Sequence, residues 1–164
     1  VAIRFPDRPV RPGVLRRLVG QAPDPKGFRV EIIRGRIVLS PTPSFKHSGI
    51  VQRVAGRIRG GLEQGRGALQ RHSIASPHDP DDYCTPDLVV VPAAIEDEDG
   101  WLLDADTVDL AVEVLSPGNA PSDVLAKLEE YAAWHIPVYL FIDPRDGTAV
   151  VYSEPSDGKY RTVH

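Results

Sequence analysis

The stretch from Asp109 to Asp143 constrains the fold more than any other part of the chain. "DLAVEVLS" (109–116) reads as a buried strand that carries one carboxylate, Glu113, in its middle. "SDVLAKLEEYAAWH" (122–135) repeats apolar residues at helical spacing, with Ser122 as the expected N-cap and Pro137 as the expected stop. "VYLFID" (138–143) is a second apolar run. Strand, helix and strand in this order predict a β–α–β unit, with a right-handed crossover if the two strands are parallel.

The flanking segments extend this unit. "RPGVLRRLVGQ" (11–21) predicts a short amphipathic helix, and "FRVEIIRGRIVLSP" (28–41) two strands joined around "RGR". The segment 43–64 predicts a helix, because Ile50, Val51, Val54, Ile58 and Leu62 recur three and four apart. "GALQRHSIAS" and "PDLVVVP" are strand candidates, and "AAIEDEDGWLLDADT" a polar excursion with a short hairpin or loop. "TAVVYS" and "YRTV" close a meander. The order predicts an α+β domain close to α/β, with a mixed central sheet flanked by helices. At 164 residues, with no shift in composition, the chain is expected to form a single domain over 1–164, with 1–27 as an N-terminal extension.

Charge and cysteine content limit the function classes. The net charge of −4 does not announce a nucleic-acid binder, so an anionic ligand needs a local basic patch. The single Cys84 precludes an internal disulfide, fits a reducing cytoplasm and is expected to be inert. No apolar run approaches the roughly 20 residues that span a bilayer. The acid runs "DPDD" and "EDEDG" lack calcium-loop spacing and read as solvated loops.

Two carboxylates stand in similar settings. Asp87 shares a strand face with Val89 and Val91, and Glu113 shares one with Ala111 and Leu115. If the two strands are neighbours, the acids converge. One then takes up a proton unless a cation lies between them. Mg²⁺ suits such a pair, because it binds one or two carboxylates and completes its shell with water and phosphate oxygens. The alternative is two solvent-facing acids at strand ends. Lys127 falls on one helix side with Val124 and Tyr131. It is either an ammonium aimed at the site or a surface lysine paired with Glu130 or Asp123. A basic stripe of Arg53, Arg57, Arg59, Arg66 and Arg71 suits phosphates or is simply a solvated face, and Arg8, Arg11, Arg16 and Arg17 form a second group.

"PDLVVV", "LAVEVLSPGN" and "SDVLAKLEEYAAWHIPVYLFIDP" together resemble the putative restriction endonuclease family of Uma-two type, within the PD-(D/E)XK nuclease superfamily. The upstream "VEIIRGRIVLSPTPSFKHSGIV" resembles its N-terminal pattern, so the likeness runs from Phe28 to Pro144. It implies a restriction endonuclease-like fold and a Mg²⁺- or Mn²⁺-dependent endonuclease acting on DNA. Asp87 and Glu113 take the places of the motif acids, and both, with the Val114 backbone carbonyl, would hold the metal. The superfamily lysine position is Leu115 here, and the resemblance implies Lys127 as its relocated equivalent. Glu31 and His47 are implied as supporting residues, and Arg53, Arg57, Arg59 and Arg71 as DNA contacts. A homodimer is expected because duplex cleavage needs two sites. The alternatives are a non-catalytic relative that binds DNA or forms oligomers, and a hydrolase using the two acids on another substrate.

Overall fold

The structure, a computed structural model, describes residues 12–22, 26–116 and 121–164. Arg8, Arg11 and the "PGN" (117–119) that ends "LAVEVLSPGN" lie outside the described residues.

The β–α–β unit is present. β8 (Leu110–Val114) and β9 (Val138–Asp143) are parallel neighbours, and α3 (Pro121–Ala133) connects them. Ser122 is not the cap expected from sequence but lies inside the first turn, because the helix starts with Pro121. A proline suits that position, where its missing N–H costs no helical hydrogen bond. At the other end α3 stops before Pro137 can act. His135 turns left-handed (φ 58°), the Ile136 amide donates to the Tyr131 carbonyl (3.0 Å), and the His135 amide donates to the Ala132 carbonyl (3.2 Å). These two bonds form a Schellman cap.

Around this unit runs a six-stranded mixed sheet in the order β11 (Lys159–Val163), β10 (Thr148–Ser156), β9, β8, β6 (Leu88–Pro92) and β3 (Arg66–Gln70). Successive side chains of its strands pack into different clusters on its two faces, as the period-two rule requires. Leu88, Val90 and Val112 pack under α2 (Phe45–Gly61), beside Ala55, Val54 and Ile58. Val89, Val91 and Ala111 point the other way, toward Tyr131, Trp134 and Ile136. Covered on both faces, β6 is one continuous apolar run. α2 begins at Ser44, whose hydroxyl accepts the His47 amide (3.2 Å).

The expected central sheet is thus joined by a second one. Five strands pair in the order β2 (Arg36–Pro41), β1 (Phe28–Ile33), β5 (Tyr83–Cys84), β4 (Ser73–Ala75) and β7 (Leu102–Asp104). Ile33, Ile74, Cys84 and Leu103 from this sheet enter the same core as Val89 and Tyr131. "GALQRHSIAS" divides between the two sheets at Arg71, whose φ of 61° bends the chain. The polar excursion contains no hairpin; its strand β7 pairs parallel with β4. β1 and β2 turn through Arg34 and Gly35, both left-handed (φ 52° and 66°), as a two-residue hairpin requires.

The "DPDD" run is not wholly solvated. Asp81 and Asp82 are buried. Asp82 accepts the Arg34 and Gly35 amides (2.6 and 2.9 Å), and Asp81 accepts those of Gly13 and Arg16 at the start of α1 (Val14–Gln21). Their carboxylates replace turn and helix-end hydrogen bonds that the backbone cannot make for itself. α1 in turn buries Leu15 against Ile32 and Tyr83. No described helix is long and apolar enough to cross a membrane.

Candidate active site

Strand register brings the two acids together. β6 and β8 are antiparallel, with Leu88 opposite Val112 and Val89 opposite Ala111. One step outward, Asp87 lies just beyond the last paired residue, and it lines one cavity together with Glu113. The Asp87 amide donates to the Val112 carbonyl (2.9 Å), and Asp87 Oδ2 accepts the Val114 amide (2.9 Å). Both side chains are buried.

Lys127 reaches the pair from α3. Its Nζ lies 2.8 Å from Glu113 Oε1 and 2.7 Å from Glu31 Oε1. Only 5% of the residue is exposed, and it touches neither Glu130 nor Asp123, so the surface reading of this lysine is overturned. Tyr131, one turn on, donates its hydroxyl to Glu113 Oε1 (3.0 Å). Glu113 Oε1 therefore holds two donors, while no described residue donates to Oε2. Glu31 arrives from β1 in the other sheet, where it also accepts the Thr85 amide (2.7 Å). Arg34, in the turn of that hairpin, pairs with Glu129 and Glu130 of α3.

His47, from the first turn of α2, sits against Asp87, with Nε2 3.1 Å from Oδ1. Its Nδ1 is buried without a partner among the described residues. Glu31 and His47, implied only as supporting residues, thus contact the lysine and the first acid directly.

Sequence reasoning missed Arg29. It precedes Glu31 by two on β1, so both project from one face. Its guanidinium lies 3.5 Å from Glu31 Oε2 and 3.8 Å from Asp87 Oδ1. The signal was the "R-V-E" alternation, which reads equally well as a solvent-facing salt bridge.

The surroundings tune each charge differently. Burial opposes the Glu31 anion, but Lys127, Arg29 and the Thr85 amide outweigh it and hold the pKa below the usual carboxylate value. Burial likewise opposes Asp87, and the His47 hydrogen bond, the Val114 amide and Arg29 bring it down. Glu113 goes the other way. Burial raises its pKa, Lys127 pulls against this, and the neighbouring Asp87 charge pushes it further up. For Lys127, burial disfavours the cation, but Glu113 and Glu31 prevail and raise its pKa. The ammonium therefore stays charged, and Glu113 is the acid left short of positive charge.

The arginine stripe divides. Arg59 donates to the Ala68 carbonyl (2.8 Å), Arg66 pairs with Asp109 (3.2 Å), and Arg16 hydrogen-bonds the Asp81 and Asp82 carbonyls. Arg53 and Arg57 are exposed along α2, and Arg71 lines the cavity that holds Asp87, Glu113 and His47.

The family model described as Uma2, putative restriction endonuclease, matches residues 16–164. The chain belongs to this family. A crystal structure at 1.96 Å of a putative nuclease from Anabaena variabilis is similar in fold, with a TM-score of 0.72 and 21% sequence identity over 89% of this chain and 80% of that one. No curated protein matches the chain. The structural likeness shows a shared fold, and family membership supports a nuclease-type function.

Proposed function

We propose that this chain is a divalent-metal-dependent endonuclease that hydrolyses phosphodiester bonds of DNA. The observation that carries the reading is that Asp87 and Glu113, at the neighbouring ends of β6 and β8, line one cavity, with Lys127 Nζ 2.8 Å from Glu113.

The residues fit a hard cation. No group of three His, Cys, Asp or Glu side chains is suited to a metal among the described residues, which disfavours a closed zinc-type site. Two carboxylates suffice for Mg²⁺ or Mn²⁺, whose remaining oxygens come from water and phosphate. Asp87, Glu113 through Oε2, and the Val114 carbonyl would hold the ion. Bound there, it would supply Lewis acidity toward the phosphate and a water of lowered pKa. Lys127 keeps its proton and donates hydrogen bonds, which suits it to orient a nucleophilic water and to offset charge that develops on phosphorus. Glu31 fixes the ammonium, and His47 fixes Asp87. Arg53, Arg57, Arg59 and Arg71 would track the DNA backbone, with Arg59 doing so from a position already tied to Ala68. A homodimer would place two such sites on a duplex. A reducing cytoplasm fits the buried thiol of Cys84.

A plasmid-nicking assay tests the activity. Nicking is expected with Mg²⁺ or Mn²⁺ and none with chelator. Lys127→Ala is expected to lower the rate by about 10²–10³-fold, the usual cost of removing one such donor. Nicking that persists in chelator excludes the proposed chemistry. The alternative, a non-catalytic nuclease-fold module that binds DNA or forms oligomers, draws on the full engagement of Lys127 by Glu31 and Glu113. Binding of DNA with Mg²⁺ present but without any cut would favour it.

A further inference from the structure

Arg29 is the group in this cluster whose bonding is least complete. Its side chain is 18% exposed, yet it makes no hydrogen bond to any described residue, and its Nε is buried without a partner. Its two contacts with Glu31 and Asp87, at 3.5 and 3.8 Å, are longer than the roughly 2.7–2.9 Å of a charge-assisted hydrogen bond. A guanidinium presents five donors in a planar fork, and leaving donors buried and unbonded is costly. Simple neutralisation of Glu31 would pull the fork into bidentate contact. Instead it stands between two acids in a cavity also lined by His47, Arg71, Glu113 and Asp123.

The charge count identifies what is missing. Glu31, Asp87 and Glu113 against Arg29 and Lys127 leave one negative charge, His47 aside, and Asp123 and Arg71 on the cavity wall cancel. A bound divalent cation turns this to one positive charge, and a phosphodiester group, with its single negative charge, returns it to zero. A tetrahedral oxyanion also matches the fork of an arginine.

We propose that Arg29 is a further catalytic residue, which donates to a non-bridging oxygen of the scissile phosphate. This rests on the endonuclease reading above. Arg29 then contributes twice: it lowers the cost of three neighbouring carboxylates at rest and binds the phosphoryl group when substrate enters.

The test follows the Arg29 Nε–H signal by NMR while inorganic phosphate is added to the full chain with Mg²⁺ present, and measures affinity by calorimetry. The variants are Arg29→Lys and Arg29→Met, with Arg161→Ala as a remote control. Acetate serves as the non-phosphate anion, and Mn²⁺ binding is measured on every sample. The Arg29 signal is expected to shift saturably with phosphate and not with acetate. Arg29→Met should bind phosphate about ten-fold more weakly or worse, the loss of one charged hydrogen bond. Arg29→Lys keeps the charge and provides the comparison should the methionine variant fail to fold; it too should bind phosphate more weakly while retaining Mn²⁺. A stationary Arg29 signal, equal phosphate affinity in wild type and both variants, or an equal response to acetate overturns the role of Arg29. If wild type binds no Mn²⁺ at all, the endonuclease reading falls with it; if Mn²⁺ binds but the phosphate results fail, only the Arg29 inference falls.

Discussion

Lys127 is an ammonium held between two buried carboxylates from different sheets, and removing it leaves both without their shared partner. Lys127→Met is expected to cost about 3–5 kcal/mol in denaturant unfolding, the usual penalty for breaking a buried ion pair. Glu113 should behave differently. An acid whose folded pKa lies above its unfolded one loses stability as pH rises through that window, so at pH 7 the Glu113 anion is a burden. Glu113→Gln is therefore expected to leave stability within about 1 kcal/mol of wild type, or to raise it, while metal binding falls. A large loss of stability would instead make Glu113 a structural ion-pair member. Asp87 has the opposite sign. Its lowered pKa contributes stability above the unfolded value of about 3.9, and this is lost as pH falls through the folded value. Asp87→Asn should thus be less stable at pH 7 by about 1–3 kcal/mol, and urea melts should show the gap narrowing as the pH falls below the unfolded value of about 3.9. Of these residues, Asp87 and Glu113 were legible as acids that converge if their strands are neighbours, and Lys127 as a residue on the helix side with Val124 and Tyr131. Period alone left the surface alternatives open, and the family resemblance chose among them. Arg29, Asp81 and Asp82 were not legible, since their partners come from distant segments and an isolated Arg or Asp reads as surface.

Elements with a strong period were readable, and those made by long-range pairing were not. α2, α3, β6, β8 and β9 appear where spacing put them. β5 is two residues long, β4 and β7 three each, and they exist only because they pair with one another and with β1. β4 lay within a strand candidate, but nothing local showed that it left β3 for another sheet. No local pattern marks β5 or β7, so the second sheet stayed hidden although its β1–β2 hairpin was plain. The end of α3 teaches the same point: Pro137 is visible in sequence, but the stop is a backbone cap with exposed His135 in a left-handed conformation. Glycine adopts that conformation without strain. His135→Gly is expected to raise stability by about 0.5–1 kcal/mol, or roughly 1–4 °C in thermal melting for a chain of this size. No gain would mean that His135 makes a contact worth as much as the strain it carries.

At the scale of the whole molecule, the site lies where the two sheets and two helices meet. β1 brings Arg29 and Glu31, β6 and β8 bring the acid pair, α2 brings His47 and α3 brings Lys127. A ligand bound there ties all five elements together, and binding to the folded state alone stabilises by mass action. At about 100 times its dissociation constant, Mn²⁺ should add roughly 2.7 kcal/mol, which corresponds to a rise of about 5–10 °C in melting temperature. The rise should be absent in Asp87→Ala.

The most direct measurement is a crystal of the wild-type protein soaked in Mn²⁺ and examined by anomalous diffraction. The account predicts one strong peak between Asp87 and Glu113, within direct coordination distance of a carboxylate oxygen of each, with Lys127 still beside Glu113. An empty cleft at saturating Mn²⁺, or a peak only at acids elsewhere on the surface, would contradict it.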